Sequence, residues 1–179
     1  MSNAGGAVMS SAKIDFAQVR FLVVDPHPLS ADLLKDVLQM LGAVGVIKCA
    51  SSERAIELLR QEPFDIVITE LETAPMNGFE FVHFIRTSAN SPNRLLPIIM
   101  LTARSEREYV SEARDQGITE FLAKPFTIDA LYKRLISVIA RPRQFVDAAS
   151  YFGPDRRRRP EPFPGPDRRE AAVQRSISA

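Results

Sequence analysis

Four side chains that could form a binding or reaction site each follow a short apolar run of the sequence. They are two carboxylates, a hydroxyl and an ammonium, carried by Asp25, Glu70, Thr102 and Lys124. Such groups complement one another in charge and hydrogen bonding, so together they could perform charged chemistry. A single acid at the end of an apolar run is most simply a solvated loop residue. Four run ends with complementary groups indicate a common site.

The elements that must position these residues alternate along the chain. We predict strands at 20–24, 44–50, 66–69, 98–101 and 120–123. We predict helices at 30–41, about 52–60, 79–86 and 106–116, and a last one after Thr127. The runs are continuously apolar, as expected for strands covered on both faces, so the pattern predicts an α/β fold with a doubly wound parallel sheet. In such a sheet the site lies beyond the carboxyl ends of the strands, at a switch in strand order.

The first predicted helix shows how the pattern assigns the core. Its apolar side chains recur at helical spacing, which places them together on one face against the sheet. This inward face is predicted to contain Leu33, Leu34, Val37, Leu38 and Leu41. Gly42 is expected at the C′ position that ends the helix.

The spacing of these residues resembles the receiver domain of bacterial two-component response regulators. The resemblance covers roughly residues 19–140. Its motifs are the Asp25-to-Glu70 interval, Gly78, Leu101-Thr102-Ala103 and Lys124-Pro125-Phe126. It implies a flavodoxin-like receiver fold with five strands in the order 2-1-3-4-5. It also implies a cis peptide bond between Lys124 and Pro125.

In that family an aspartate after the third strand accepts a phosphoryl group from a histidine kinase. The threonine hydroxyl meets the phosphoryl oxygens and the lysine pairs with their charge, because phosphoryl transfer depends on positioning and on neutralising negative charge. The resemblance assigns these two roles to Thr102 and Lys124. The acceptor position, however, is occupied by Glu70. Glutamate has one more methylene than aspartate, so its carboxylate lies roughly one C–C bond further from the backbone. An attacking oxygen displaced by about 1 Å can lose ~10²-fold in rate, so we predict that Glu70 is not phosphorylated.

The metal site implied by the resemblance is also altered. The family binds Mg²⁺ through a pair of acids after the first strand, and here the second acid is replaced by Pro26. The remaining ligands would be Asp25, Glu70 and Glu72, the last through its backbone carbonyl. Mg²⁺ demands near-ideal octahedral geometry and dehydrates reluctantly, so we expect weak or absent binding and no other cofactor.

Two interpretations of Glu70 remain open. Its longer side chain could carry a permanent negative charge that pairs with Lys124 and draws Thr102 inward, which would mimic the phosphorylated state without a kinase. Alternatively the site has decayed and Glu70 only satisfies Lys124. Phe121 occupies the position where the family often has the aromatic residue that switches inward with the threonine.

Composition divides the chain into three parts. Residues 1–15 are predicted to be a flexible leader, 16–141 the receiver-like domain, and 142–179 a Pro/Arg-rich tail that is disordered or ordered by a partner. Residues 1–140 contain 14 Lys/Arg and 17 Asp/Glu, a net charge of −3, whereas residues 141–179 contain 9 and 5, a net charge of +4. The tail repeats its sequence Gly-Pro-Asp-Arg-Arg, at 153–157 and again at 165–169.

The tail arginines could bind phosphates. They are Arg156, Arg157, Arg158, Arg159, Arg168 and Arg169. Asp155, Glu161 and Asp167 interrupt them and no recognised DNA-reading fold accompanies them, so nucleic acid is the less favoured partner. Docking to an acidic protein surface, or folding back onto the acidic receiver-like domain, is favoured, and a nucleic-acid-associated regulator remains an alternative.

The overall pattern predicts a signalling protein and not an enzyme. The sequence has no Gly-rich nucleotide loop, and its motifs suggest no nucleophile–His–acid arrangement. We predict a stand-alone response regulator that acts by protein–protein interaction; a genuinely phosphorylatable single-domain regulator is the alternative. The expected partners are a histidine kinase or a downstream effector, and a second copy bound through the fourth helix, fifth strand and fifth helix. No apolar run approaches the ~18 residues that span a membrane and no signal peptide is evident, so a cytoplasmic protein is expected.

Overall fold

The computed structural model describes residues 14–104, 107–148 and 151–155. Within them, one parallel sheet contains β1 (Arg20–Val24), β2 (Gly45–Cys49), β3 (Ile66–Thr69), β4 (Ile98–Thr102) and β5 (Glu120–Ala123). The strand order is β2-β1-β3-β4-β5, and every neighbouring pair is parallel. The predicted doubly wound fold and its strand order are therefore confirmed.

The helices cover both faces of the sheet, as continuously apolar strands require. They are α1 (Pro28–Met40), α2 (Ser52–Gln61), α3 (Gly78–Thr87), α4 (Arg107–Asp115) and α5 (Ile128–Ala140). Buried side chains of α1 and α5 pack on one face, and those of α2, α3 and α4 pack on the other. A short 3₁₀ turn at Phe16–Gln18 precedes the first strand.

Local signals explain why the helices begin and end where they do. Asn77 and Glu80 form a capping box at the start of α3, and the Ser51 and Thr127 side chains cap α2 and α5. Gly42, immediately after the C-cap residue of α1, has a φ of +101°, which a glycine adopts without strain. Leu33 was predicted to face the core, but it is 60% exposed, whereas Leu34 is 2% exposed. Successive side chains of an α-helix point about 100° apart, so Leu33, the neighbour of the buried Leu34, lies on the solvent side of α1.

The predicted tail contains a pair of strands that the sequence pattern did not predict, although folding back of the tail onto the domain was one of the expectations. Residues 145–148 and 151–154 form an antiparallel pair of strands, β6 (Phe145–Ala148) and β7 (Tyr151–Pro154), which we call the hairpin. The expectation that everything after residue 141 is disordered or partner-ordered is wrong for this segment. Unlike the Arg-rich sequence that follows it, this segment contains Phe145, Val146, Tyr151 and Phe152. It packs on the domain and so does not have to be stable as an isolated two-stranded hairpin. The six tail arginines named above lie outside the described residues.

No helix in the described part of the chain is both long enough and apolar enough to cross a membrane.

Candidate functional site at the strand ends

The sheet brings the four residues singled out in the sequence to its carboxyl edge. Asp25 follows β1 and Glu70 follows β3; the backbone N–H of Glu70 donates to Val24 O at 2.8 Å. Thr102 ends β4, and its carbonyl accepts from the backbone N–H of Lys124 at 2.8 Å, just beyond β5. Strand order reverses between β1 and β3, so this edge is the switch point at which such sheets bind ligands.

Lys124 is the centre of this site. Its Nζ lies 2.9 Å from Asp25 Oδ2, 2.7 Å from Glu70 Oε2 and 2.8 Å from Ser30 Oγ. The Lys124 side chain is only 20% exposed. Burial acts to lower the pKa of its ammonium, but the hydrogen bonds and charges of Glu70 and Asp25 outweigh burial and leave that pKa raised.

The Asp25 carboxylate is held by three elements of the fold. Its Oδ1 accepts from the His27 backbone N–H at 2.8 Å, and its Oδ2 accepts from the Ser30 hydroxyl at 2.6 Å as well as from Lys124. Burial acts to raise the pKa of the carboxyl. The hydrogen bonds from Ser30, Lys124 and the His27 backbone together overcome that effect, so the pKa of Asp25 is lowered.

Glu70 is fixed at both carboxylate oxygens. Oε1 accepts from the Leu71 backbone N–H at 2.8 Å, while Oε2 faces Lys124. The start of α3 packs directly against this turn, since a Cβ at Gly78 would lie 2.6 Å from the backbone oxygen of Glu70. Gly78, which belongs to the motif pattern of the sequence, is thus required by close backbone approach.

Thr102 and Glu72 lie at the site but outside the Lys124 network. The Thr102 hydroxyl is buried, and its oxygen accepts from the Arg104 backbone N–H at 3.2 Å. The Glu72 side chain is 60% exposed and pairs with Arg104 Nε at 2.8 Å. Phe121 is partly buried against the core on the α2–α4 side of the sheet.

Two local features concern prolines. Pro26 follows Asp25 and has no side-chain oxygen where the family's second acid would stand. The Lys124–Pro125 peptide bond is cis, as predicted. The Ala74–Pro75 bond is also cis, and the sequence analysis did not anticipate it.

Ser30 is the member of the site that the sequence analysis missed. It is the third residue of α1, and its hydroxyl lies between Asp25 and Lys124. The available signal was a hydroxyl residue in the first turn of a helix that starts directly after a strand-end acid. That signal is weak because serine is common at helix starts for capping reasons alone.

Comparisons with known proteins agree with this geometry. The family model described as the response regulator receiver domain matches residues 21–136. A probable chemotaxis protein CheY of Rhizobium etli is 31% identical over 114 residues, which cover 64% of this chain and 87% of that protein. The virulence sensor protein BvgS of Bordetella pertussis is 35% identical over 126 residues, which cover 69% of this chain and 10% of that protein.

A solved structure shows the same fold. The chemotaxis response regulator CheY4 of Vibrio cholerae superimposes with a TM-score of 0.60 at 30% identity, over 68% of this chain and 98% of that one. The chain therefore belongs to the response regulator receiver domain family of two-component signalling.

Proposed function

We propose that this receiver domain is not phosphorylated on Glu70 and signals by binding other proteins, with Lys124 paired permanently inside its own pocket. The observation that carries the proposal is the set of three acceptors around Lys124 Nζ, at 2.7–2.9 Å. An ammonium has three N–H donors, so Asp25, Ser30 and Glu70 can take all of them. An entering phosphoryl oxygen would have to displace one of these acceptors.

The donor set does not fit Mg²⁺. Asp25 Oδ2 and Glu70 Oε2 already accept from Lys124. The other oxygen of each carboxylate, Asp25 Oδ1 and Glu70 Oε1, accepts from a backbone N–H group. Pro26 adds no carboxylate, and in the part of the chain that the structure describes no group of three or more His, Cys, Asp or Glu side chains could hold a metal. Mg²⁺ requires near-octahedral oxygen ligation, so we infer that metal is not part of this pocket's action.

Glu70 supplies a fixed negative charge to Lys124 in this proposal. Its Oε2 contacts the ammonium, as a phosphoryl oxygen would have to do. We limit the stand-in role to this ion pair, because the Thr102 oxygen accepts from the Arg104 backbone. The domain would then present one state to a kinase or effector surface, independent of a phosphodonor.

The decisive experiment compares the parent chain with the double variant Pro26→Asp/Glu70→Asp. Each is incubated with Mg²⁺ and a small phosphodonor, and phosphate incorporation is followed by mass spectrometry. We expect none in the parent. The double variant should incorporate phosphate, because it regains both the acceptor aspartate and the second acid.

The single variant Pro26→Asp is the control for the double variant. Pro26→Asp alone restores the acid pair but keeps Glu70, and we expect it to remain unphosphorylated. Phosphate on Glu70, or on any neighbouring residue, in the parent chain would disprove the proposal.

A further inference from the structure

The β6–β7 hairpin packs on the end of the domain opposite the strand-end pocket, against the C-terminal half of α3 and the turn that joins α4 to β5. We call this docking surface of the domain the groove. Residues 145–148 and 151–154 pair only with each other and add no strand to the main sheet. The hairpin is thus a separate segment seated on the finished domain.

Two arginines of the domain hold two phenylalanines of the hairpin. The guanidinium carbon of Arg94 lies 3.9 Å from the ring centroid of Phe152, and that of Arg86 lies 5.2 Å from the Phe145 ring. The two rings are 5.7 Å apart and tilted. The four groups thus form a chain in the order cation, ring, ring, cation, and each of its three contacts is attractive.

The backbone of the hairpin approaches the domain too closely for a side chain. A Cβ on Gly153 would lie 2.9 Å from the Cα of Gly117 and 2.6 Å from the Tyr151 hydroxyl oxygen. Pro154, the next residue, is buried. The groove therefore accepts glycine at this position and selects against any larger residue.

The linker that leads to the hairpin is also tied to the domain. Arg143 Nη2 lies 3.1 Å from Glu120 Oε1 on β5, and the Asp155 backbone N–H donates to Gln144 O at 2.7 Å. The Glu120 side chain is 2% exposed. The Arg143–Glu120 contact thus ties the linker to the domain, and the Asp155–Gln144 hydrogen bond joins the two ends of the segment to each other.

Arg86 makes docking easier to reverse. Its side chain is buried, and Nε and Nη1 donate to the backbone oxygens of Gly117 and Arg94 at 3.0 and 2.9 Å. Within the described residues, Nη2 has no acceptor. Burial lowers the pKa of this guanidinium to about 10. Release of the hairpin would return a buried cation to water, which offsets part of the contact energy that is lost.

We propose that this groove is a peptide-recognition site for a Phe-Gly-Pro sequence, and that the chain's own segment 145–155 is its reversible occupant. The repeat in the tail supports sequence selection. The second copy keeps Gly165-Pro166-Asp167 but has Pro164 at the position of Phe152. A proline offers neither an aromatic ring to Arg94 nor a backbone N–H, so only the first copy meets the requirements of the groove.

The test uses full-length chains and a labelled peptide of residues 143–157. Phe152→Ala removes the ring that stacks on Arg94 and should empty the groove. Asp147→Ala is the matched control, since it truncates an exposed side chain of the same hairpin. We expect the peptide to bind the Phe152→Ala chain at least 10-fold more tightly than the parent or the control, by fluorescence anisotropy, because in those two the attached segment competes at high effective concentration.

A second readout follows the attached segment itself. Tryptic cleavage after Arg143, measured by mass spectrometry, should be at least 10-fold faster in Phe152→Ala than in the parent and unchanged in Asp147→Ala. A peptide carrying proline at the position of Phe152 should fail to bind any of the three chains. Gly153→Ala should release the hairpin as Phe152→Ala does, because its Cβ meets Gly117.

Three results would overturn the proposal. One is equal peptide binding to parent and Phe152→Ala, including no binding to either. Another is equal binding of the proline-substituted peptide. The third is loss of the cooperative unfolding transition of the domain in both Phe152→Ala and Gly153→Ala, which would make the hairpin an inseparable part of the fold.

Discussion

Lys124 and Arg86 are both cations withdrawn from water, but at opposite ends of the sheet and with different partners. Lys124 Nζ contacts two carboxylates and a hydroxyl, whereas Nε and Nη1 of Arg86 donate to two backbone carbonyls. Burial acts to lower the pKa of both groups. Carboxylate partners reverse that effect for Lys124 and leave its pKa raised, while the pKa of Arg86 falls to about 10.

The comparison shows that burial alone does not define what a charged group does. The full negative charges of Asp25 and Glu70 compensate the desolvation of Lys124, so the ammonium needs no further ligand to remain charged. Carbonyl dipoles compensate the desolvation of Arg86 only in part. Exposing Arg86 to water by removing the hairpin should therefore cost less free energy than exposing a fully compensated cation. The proposed lack of phosphorylation and the proposed release of the hairpin both rest on how far each buried cation is compensated by its partners.

The largest expected effect comes from removing the central cation of the pocket. Lys124→Met should lower the free energy of unfolding by about 3 kcal/mol, because it leaves the buried Asp25 and Glu70 carboxylates without a counter-charge. Urea denaturation near neutral pH measures the change. Lys133→Met is the matched control: Lys133 is 71% exposed and its pair with Asp129 should contribute less than ~0.5 kcal/mol.

Adding Glu70→Gln to Lys124→Met should recover part of the lost stability, since one of the two facing charges is then gone. Equal losses for Lys124→Met and Lys133→Met would contradict the description of a buried, charge-compensated site.

A smaller effect is expected at the other cation. Arg86→Met should cost about 1–2 kcal/mol, because the Gly117 and Arg94 carbonyls lose a donor while a desolvated charge is removed. The same urea experiment measures it. A loss as large as that of Lys124→Met would show that Arg86 is as well compensated as Lys124, and the contrast between the two regions would fail.

The smallest effect concerns Ser30 and depends on pH. The pKa of Asp25 is depressed in the folded protein, so its contribution to stability is present above the ordinary value of 3.8 and is lost as the pH falls through the lower folded value. Ser30→Ala removes a hydrogen bond to this carboxylate and should cost about 1 kcal/mol at pH 6. The cost should shrink as the pH falls below 3.8, because Asp25 is then protonated first in the unfolded chain and, at still lower pH, in the folded protein.

Ser30→Thr keeps a hydroxyl in the same place and should behave like the parent in urea denaturation, both at about pH 6 and below the ordinary Asp25 pKa of 3.8. A cost of Ser30→Ala that does not change with pH would mean that Ser30 acts through packing and not through the Asp25 carboxylate.

Much of the fold was predictable because its signals are local. The β1, β3 and β5 boundaries are as predicted, and the others shift by one or two residues, which is the scale on which helix caps and strand ends vary. The prediction for Leu33 was wrong because the apolar stripe of α1 in the sequence is wider than the part of the helix surface that the neighbouring elements cover. The site was partly predictable for a related reason, since parallel strands bring their ends to one edge.

Ser30, Arg86 and the hairpin could not be inferred in the same way. The Lys124–Ser30 contact joins residues 94 apart, and the Arg86–Gly117 contact joins residues 31 apart. By its composition the tail is too polar to fold in isolation, but the segment with Phe145 and Phe152 is ordered because these rings pack on arginines of the domain.

The sequence by itself determined the order of strands and helices, the residues at the strand ends, and the departures at Glu70 and Pro26. Each of these depends on near neighbours or on a spacing along the chain. Tertiary structure alone decided which acceptors surround Lys124, which face of α1 is buried, and that residues 145–148 and 151–154 pack on the domain. These depend on distant segments meeting in space, where burial and charge compensation are set by what each group finally touches.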